Sequence, residues 1–377
     1  MKKIISIALI FVMIFSLAAC SSTSGTTTAS TSDEPEVEVT EAPEEASVPE
    51  TITITALNAA GEEDEIEVPY DPQRIAILDF AALDAIDNLG LGDRVVGTAS
   101  TTLDYLMPYT EKEGVALLGT IKEADLEAVM GCEPDIIFIG GRLSKSYEAL
   151  SEIAPVVYLA TDSELGVVAS TRKIAETVAS IFGLEDQVAE KMEGFDARIE
   201  ALAAAAEGKT AVVGMCTSGS FNVLGDDGRC SIIGREIGFN NLSNSVTSSD
   251  DSESGGGHGG QGGQGGGQGG QGGGQGGQGG GQGGQGGTST HGNEASFELI
   301  VSLAPDYIFV MDRDAAIATE GAQLAQEIME NELVMSTDAY KNGNIVYLAH
   351  PNAWYTAEGG ITALDLMLSD LEAALIG

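Results

Sequence analysis

One segment of this chain occurs twice without a gap, and this repeat constrains the fold more than any other feature. The first copy runs from Asp125 to Arg142 and the second from Ser296 to Arg313. The copies share a glutamate, a Pro-Asp pair, an Ile-Phe pair and the final arginine. Each copy has the pattern of a short helix that ends near the Pro-Asp turn, followed by an apolar run typical of a strand buried in a parallel sheet. We therefore predict one helix-strand unit from each copy.

A second similarity follows each copy of the repeat. The run from Val156 to Ala160 matches the run from Ile345 to Ala349 in composition and order. The sequence thus predicts an α/β protein with two similar lobes, each built on a parallel-type sheet. Ligands of open parallel sheets bind outside the carboxyl ends of the strands, where Arg142 and Arg313 lie. Two arginines in a cleft between lobes favour an anionic ligand.

The start of the chain has the pattern of a secretion signal. Lys2 and Lys3 precede an apolar stretch that is too short to span a membrane and that ends in Leu-Ala-Ala-Cys at Cys20. We predict a lipoprotein signal peptide over residues 1–19 and lipidation of Cys20; the alternative is a signal peptide with an incidental cysteine. Residues 20–50 are rich in Ser, Thr, Pro and acids, which predicts a disordered acidic tether. The expected location is extracytoplasmic, lipid-anchored to the cell membrane.

The rest of the chain divides into three predicted parts. We expect an N-terminal α/β lobe over residues 51–164, a connecting helix over 165–207, where apolar residues recur at helical spacing, and a C-terminal α/β lobe over 208–377. Gly183 leaves open whether the connection is one helix or two. A Gly/Gln tract over 254–287 cannot form a core, and we interpret it as a neutral expansion in a surface loop.

The charge of the chain excludes some partners. Its formal net charge of −41 makes nucleic acid and anionic lipid unlikely partners. A local anion site is still compatible with this charge, because charges more than about 8 Å away are largely screened.

Residue types that carry chemistry are sparse. The three histidines and the cysteine spacing disfavour a dedicated zinc or manganese site. Cys132 is expected in the core. Cys216 and Cys230 could form a disulfide if the strands that carry them were adjacent. The sequence has no Gly-x-Ser-x-Gly, His-Glu-x-x-His or Cys-x-x-Cys motif, so we do not expect an enzyme.

Four groups of residues carry a resemblance to a known family. They are Gly140–Tyr147 leading to Ile153-Ala154-Pro155, then Asp227-Gly228-Arg229, then Asp312-Arg313, and finally Trp354-Tyr355 followed by Gly359-Gly360. With these marks, residues 51 to 376 resemble the solute-binding lipoproteins of ABC importers for iron chelates and cobalamin, specifically the branch that binds ferric catecholate siderophores. That family lacks the Gly/Gln tract.

The resemblance implies a fold and a function. The fold would be of the class III periplasmic-binding-protein type, with two lobes joined by a long helix. The protein would be a monomer without intrinsic cofactor that captures a ferric siderophore complex in the inter-lobe cleft and delivers it to an ABC permease with its ATPase. The alternatives are a cobalamin or haem binding protein of the same family, a secreted two-lobe enzyme, and an adhesive or sensory lipoprotein. Which siderophore binds stays open.

The resemblance also implies roles for a basic clamp. Arg142 from the first lobe and Arg229 and Arg313 from the second would surround the anionic complex, and Trp354 would be a further ligand contact. The alternative for each arginine is an ion pair with one of the many carboxylates.

Two further pairs of residues take their expected roles from the resemblance. His291 and Tyr355 would complete the iron coordination when a siderophore supplies too few oxygens; the alternatives are a solvated loop residue and a ring packed beside the tryptophan. Glu127 and Glu298, at the same place in the two repeat copies, would dock into basic pockets of the permease, the alternative being solvation on a helix surface. His350 is expected to be structural.

Overall fold

Two separate β-sheets form the frame of the protein. The computed structural model describes residues 49–247 and 293–377, which belong to one unit, Pro49–Gly377. The predicted signal peptide, Cys20, nearly all of the tether, the Gly/Gln tract and His291 lie outside the described residues. In the part of the chain that is described, no helix is both long and apolar enough to cross a membrane.

The first sheet contains seven strands in the order β2-β1-β9-β8-β3-β4-β5. The strands of this half of the chain are β1 (Thr51–Leu57), β2 (Glu63–Pro69), β3 (Ile75–Leu78), β4 (Val95–Thr98), β5 (Ala116–Leu117), β6 (Gly119–Thr120), β7 (Glu123–Ala124), β8 (Ile136–Ile139) and β9 (Val156–Tyr158). Strands β1 and β2 form a hairpin at one edge, and β1 joins β9 in antiparallel pairing. The strands from β9 to β5 pair in parallel, and β6 and β7 form a separate ribbon.

The second sheet repeats this plan with fewer strands. Its strands are β10 (Thr210–Thr217), β11 (Ser220–Val223), β12 (Asn240–Asn241), β13 (Asn293–Glu294), β14 (Tyr307–Asp312) and β15 (Ile345–Tyr347). The order is β13-β11-β10-β14-β15, with β12 also paired to β10. Strands β10, β14 and β15 are parallel, and β11 and β13 extend the sheet in antiparallel pairing.

The helices cover both sheets and connect them. They are α1 (Phe80–Asn88), α2 (Met107–Glu111), α3 (Leu126–Gly131), α4 (Tyr147–Ser151), α5 (Val167–Phe182), α6 (Glu185–Ala206), α7 (Ile232–Arg235), α8 (Asn244–Thr247), α9 (Phe297–Leu303), α10 (Arg313–Ala316), α11 (Ala325–Met329), α12 (Glu332–Ser336), α13 (Asp338–Lys341), α14 (Pro351–Thr356) and α15 (Ile361–Leu375). Short 3₁₀ turns cover Gly92–Arg94 and Gly141–Ser146.

Each copy of the sequence repeat is one helix-strand unit, as predicted. The first copy forms α3 and then β8, which lies between β3 and β9, and the second forms α9 and then β14, which lies between β10 and β15. The α/β class is therefore confirmed, with the addition that both sheets are mixed, because each carries antiparallel strands at one edge.

The connection between the sheets consists of two helices rather than one. Helix α5 ends at Gly183, which adopts a left-handed conformation with φ 65°. A Cβ at this position would lie 2.4 Å from the Tyr70 hydroxyl, so both the backbone angle and the close approach require glycine. Helix α6 then begins at Glu185.

One apolar core joins the first sheet, the connecting helices and one face of the second sheet. Phe309 and Met311 of β14 belong to this core, whereas Ile308 and Val310 point to the opposite face and into a second core. Successive side chains of β14 thus point to opposite faces of the sheet, as in any strand, and each face is covered by a core. Cys132, Cys216 and Cys230 are free and buried.

The side chain of Asp84, in α1, is hydrogen-bonded to the start of α15. This side chain is fully buried and accepts hydrogen bonds from the backbone N–H groups of Thr362 (2.9 Å) and Ala363 (3.0 Å). These are two of the donors at the start of α15 that have no partner within the helix. A Cβ on Gly360 would lie 2.3 Å from the carboxylate, which explains a glycine at this position.

Candidate functional site

Arg142 is positioned by a glycine pair at the end of β8. Gly140 passes so close to Asp79, at the end of β3, that a Cβ would lie 2.1 Å from the carboxylate. Asp79 is itself fixed, because its side chain accepts a hydrogen bond from the Ala82 N–H at the start of α1 (3.0 Å). The glycine pair thus lets the chain turn tightly beside Asp79 and start the 3₁₀ turn that carries Arg142.

The other two arginines also follow strands. Arg313 is the first residue of α10, directly after β14, and the preceding Asp312 caps that helix by accepting from the Ala315 N–H (2.9 Å). Arg229 lies in the loop between β11 and α7. Asp226 holds this loop by accepting from the side-chain amides of Asn241 (2.8 Å) and Asn244 (2.7 Å).

All three arginines converge on Tyr355, in α14. Arg142 Nη2 and Arg229 Nη1 donate to the Tyr355 carbonyl oxygen at 3.2 and 2.7 Å, and Arg313 Nε donates to the Tyr355 hydroxyl at 3.0 Å. The guanidinium carbons lie 6.0, 4.2 and 5.5 Å from the centre of the ring, within the range of cation–π contact. The structure therefore brings together four of the six residues that the resemblance implied for the ligand site.

Two of these arginines form no close ion pair with a described acid. Among the described residues, Arg142 and Arg229 form no ion pair, and the buried Nε of Arg229 has no hydrogen-bond partner. Arg313 is different, because it contacts the Asp314 carboxylate at 3.2 Å. Burial and the neighbouring charge of Arg229 lower the pKa of Arg142. Unpaired cations held close together are costly, and an anion placed between them would relieve the repulsion.

A cavity of about 300 Å³ opens beside Arg142, Arg229 and Tyr355, and Arg313 reaches it only through its hydrogen bond to the Tyr355 hydroxyl. Asp79 and Arg142 line it from the first half of the chain, and Arg229, Tyr355 and Glu358 line it from the second. A somewhat larger cavity of about 360 Å³ lies beside β1 and α5, but the lysine in its lining is already paired with a glutamate. We assign the ligand site to the smaller cavity because its cations are free.

Comparison with known proteins agrees with this geometry. The sequence model of the family described as "Periplasmic binding protein" matches residues 75–254 and 279–351, and the match is interrupted inside the Gly/Gln tract. The chain belongs to the periplasmic binding protein family. Proteins of this family bind solutes outside the cytoplasm and are not enzymes. The expected extracytoplasmic location and the expected non-enzymatic role are therefore confirmed.

Several relatives of this periplasmic binding protein bind iron chelates according to their names. The petrobactin-binding protein YclQ of Bacillus subtilis is 28% identical over 311 residues, covering 82% of this chain and 84% of YclQ. Its crystal structure has a TM-score of 0.70 and covers 86% of this chain and 99% of that one. The catecholate-siderophore binding protein VctP of Vibrio cholerae is 29% identical with a TM-score of 0.67, covering 85% and 100%. The ferric-anguibactin-binding protein FatB of Vibrio anguillarum is 24% identical, covering 80% and 81%.

Glu358 is a residue of the binding-protein cavity that the sequence reasoning missed. Burial raises the pKa of the Glu358 carboxyl to about 7, although the nearby charges of Arg229 and Arg142 lower it. Asp79 shows the same balance, because burial raises its pKa while the Ala82 N–H and Arg142 lower it. A signal for Glu358 was present, since it follows Tyr355 by three residues and directly precedes the Gly359-Gly360 pair.

Trp354 does not line the cavity of this binding protein. The indole is 1% exposed, and its Nε1 donates to the buried Asp370 carboxylate at 2.9 Å. The expected ligand contact is therefore corrected to a core position, because neighbouring residues of a helix point in different directions and only Tyr355 faces the arginines. His350 also contacts Asp370, at 2.7 Å through Nδ1, which agrees with a structural role.

Glu127 and Glu298 occupy equivalent exposed positions. Each lies in the first turn of a helix, after the caps Asp125 and Ser296, and each side chain is open to solvent. An acid in the first turn is favoured by the helix dipole. The two carboxylates are thus presented by matching helices of the two repeat copies.

Proposed function

We propose that this periplasmic binding protein captures a ferric catecholate-type siderophore in the arginine cavity and delivers it to an ABC permease that its ATPase drives. The observation that carries the proposal is the convergence of Arg142, Arg229 and Arg313 on one tyrosine, with two of the three free of ion pairs. The names of several relatives support the same class of ligand.

The chemistry of the cavity fits an anionic aromatic chelate. Ferric catecholate complexes carry net negative charge on oxygen and present flat rings at their surface. Each arginine can donate charge-assisted hydrogen bonds worth about 1.5–3 kcal/mol to the oxygens. Its guanidinium plane can also stack on a catechol ring for roughly 0.5–2 kcal/mol. Three arginines therefore supply charge and stacking together.

Tyr355 is suited to coordinate iron when the chelate leaves a position free. Ferric iron is a hard ion that accepts phenolate oxygen, and a bound cation favours loss of the phenol proton. Arg313 Nε donates to the hydroxyl oxygen at 3.0 Å and so orients it in the site. His291, four residues after the end of the Gly/Gln tract, is the proposed second ligand.

Delivery and anchoring complete the proposal. The lobes over 51–164 and 208–377, joined by residues 165–207, would present Glu127 and Glu298 to basic pockets of the permease. A lipid on Cys20 would hold the protein at the membrane, and the acidic tether would give it reach. The protein would act as a monomer.

The test is a titration of the mature chain with Cys20 replaced by serine. Ferric complexes of a bis-catecholate and a tris-catecholate are added, and quenching of Trp354, which adjoins Tyr355 in sequence, is followed. We expect tight binding that weakens about tenfold or more in each of R142A, R229A and R313A.

The matched control is R172A. Arg172 forms an ion pair with Asp196 between α5 and α6, away from the cavity lining, so its removal should leave binding unchanged. If neither complex binds, the siderophore proposal is wrong, and cobalamin and haem become the ligands to titrate next.

A further inference from the structure

Glu358 is one of two acids, with Asp79, in the cavity that Arg142 and Arg229 also line. It lies between α14 and α15, directly before Gly359, whose φ is +99°. A Cβ on Gly359 would lie 2.9 Å from Ile174 Cδ1 and 3.0 Å from Thr161 Cγ2. The backbone after Glu358 is therefore pressed against the opposite half of the protein. This contact holds the backbone next to Glu358 at the cavity wall.

The Glu358 carboxylate is partly buried and lines the cavity. Among the described residues it forms no ion pair and no side-chain hydrogen bond, although Arg229 and Arg142 are near enough to act on its charge. Those arginines donate instead to the Tyr355 carbonyl. The buried acid Asp84, by contrast, accepts bonds from two backbone N–H groups and from Asn88. The acceptor sites of Glu358 are not used by such partners and are therefore available to a ligand in the cavity.

We propose that Glu358 is a specificity-determining residue that selects iron chelates with an N–H donor, above all a protonated amine, in the linker between their catecholate groups. This inference rests on the proposed function and names the ligand class more narrowly. The iron-bound oxygens would meet Arg142, Arg229 and Arg313, and the linker amine would donate to Glu358. A chelate without such a donor would instead place its negative charge beside an unpaired carboxylate.

Two ferric bis-catecholate complexes test this inference. Their ligands have the same length and differ only at the central linker atom, which is a secondary amine in one and an ether oxygen in the other. Affinities are measured at pH 8, above the Glu358 pKa of about 7, for the wild type and for E358Q. We expect the wild type to prefer the amine complex about tenfold, as one charge-assisted hydrogen bond implies. In E358Q the preference should fall below about twofold, and the ether complex should bind at least as tightly as it does to the wild type.

The matched control is E332Q. Glu332 is an exposed acid in the first turn of α12, away from the cavity lining, and its removal should keep the tenfold preference. Circular dichroism checks that both variants are folded. An unchanged preference in E358Q, or no preference in the wild type, overturns the inference and leaves the proposed function intact, provided that R229A still weakens binding. Failure of both complexes to bind the wild type overturns the proposed function and the inference together.

Discussion

Replacement of Gly360 by alanine should destabilise the protein by about 2–4 kcal/mol. Gly360 has φ −84° and ψ 153°, which alanine adopts without strain, so the cost must come from contact. The new Cβ would lie 2.3 Å from Asp84 Oδ2, and that carboxylate is buried and bonded on both oxygens. Asp84 would have to move and leave the N–H groups of Thr362 and Ala363 unsatisfied, at about 1–3 kcal/mol for each group.

Urea unfolding followed by circular dichroism measures this effect. The matched control is G194A, because Gly194 lies inside α6 with no atom within 4 Å of an added Cβ. The same chemical change should there stabilise the protein by about 0.5–1 kcal/mol through helix propensity. G360A should also lower the free energy of unfolding much less in a D84A variant, where the carboxylate is absent. A loss below about 0.5 kcal/mol in the wild type, or an equal loss in the wild type and in D84A, would refute this explanation.

Three further changes test the site and its surroundings. Y355F removes the hydroxyl bonded to Arg313; it should weaken binding of a bis-catecholate complex about tenfold and change a tris-catecholate little, as measured by titration. W354F should leave binding, measured by isothermal titration calorimetry, unchanged but lower the free energy of unfolding in urea by about 1–2 kcal/mol, because Asp370 loses a buried donor. Burial raises the folded-state pKa of Glu358 above its unfolded value, so its contribution to stability is present at low pH and is lost as pH rises from about 4.5 to about 7. E358Q should therefore lose less stability than the wild type between pH 4 and pH 8 in urea unfolding; an equal loss would contradict the assignment.

The sequence could predict features that depend on neighbours along the chain. The Pro-Asp turn and the apolar run after it are local patterns, and they defined α3 with β8 and α9 with β14. Gly183 marked a break in helical periodicity, and the structure has a helix end there. Because a repeated pattern implies a repeated unit, the arginines at the ends of β8 and β14 could also be expected at equivalent places.

Other features could not be predicted because they depend on side-chain direction. Trp354 and Tyr355 are adjacent in sequence, yet one points into the core and the other toward the arginines. Glu358 is one of many acids in the sequence, and although it precedes the Gly359-Gly360 pair, only the structure places it in the cavity. The bond from Asp84 to the start of α15 joins residues at opposite ends of the described chain.

The sequence by itself determined the α/β class, the repeated helix-strand units and the arginines that supply positive charge. The tertiary structure decided that these arginines meet, since Arg142 and Tyr355 are 213 residues apart and share a hydrogen bond only after both sheets have formed. It also decided which acids are buried and which remain in solvent. Local patterns fix backbone period and turns, whereas the packing of distant segments fixes distances and burial, and distances and burial set the electrostatics of a binding site.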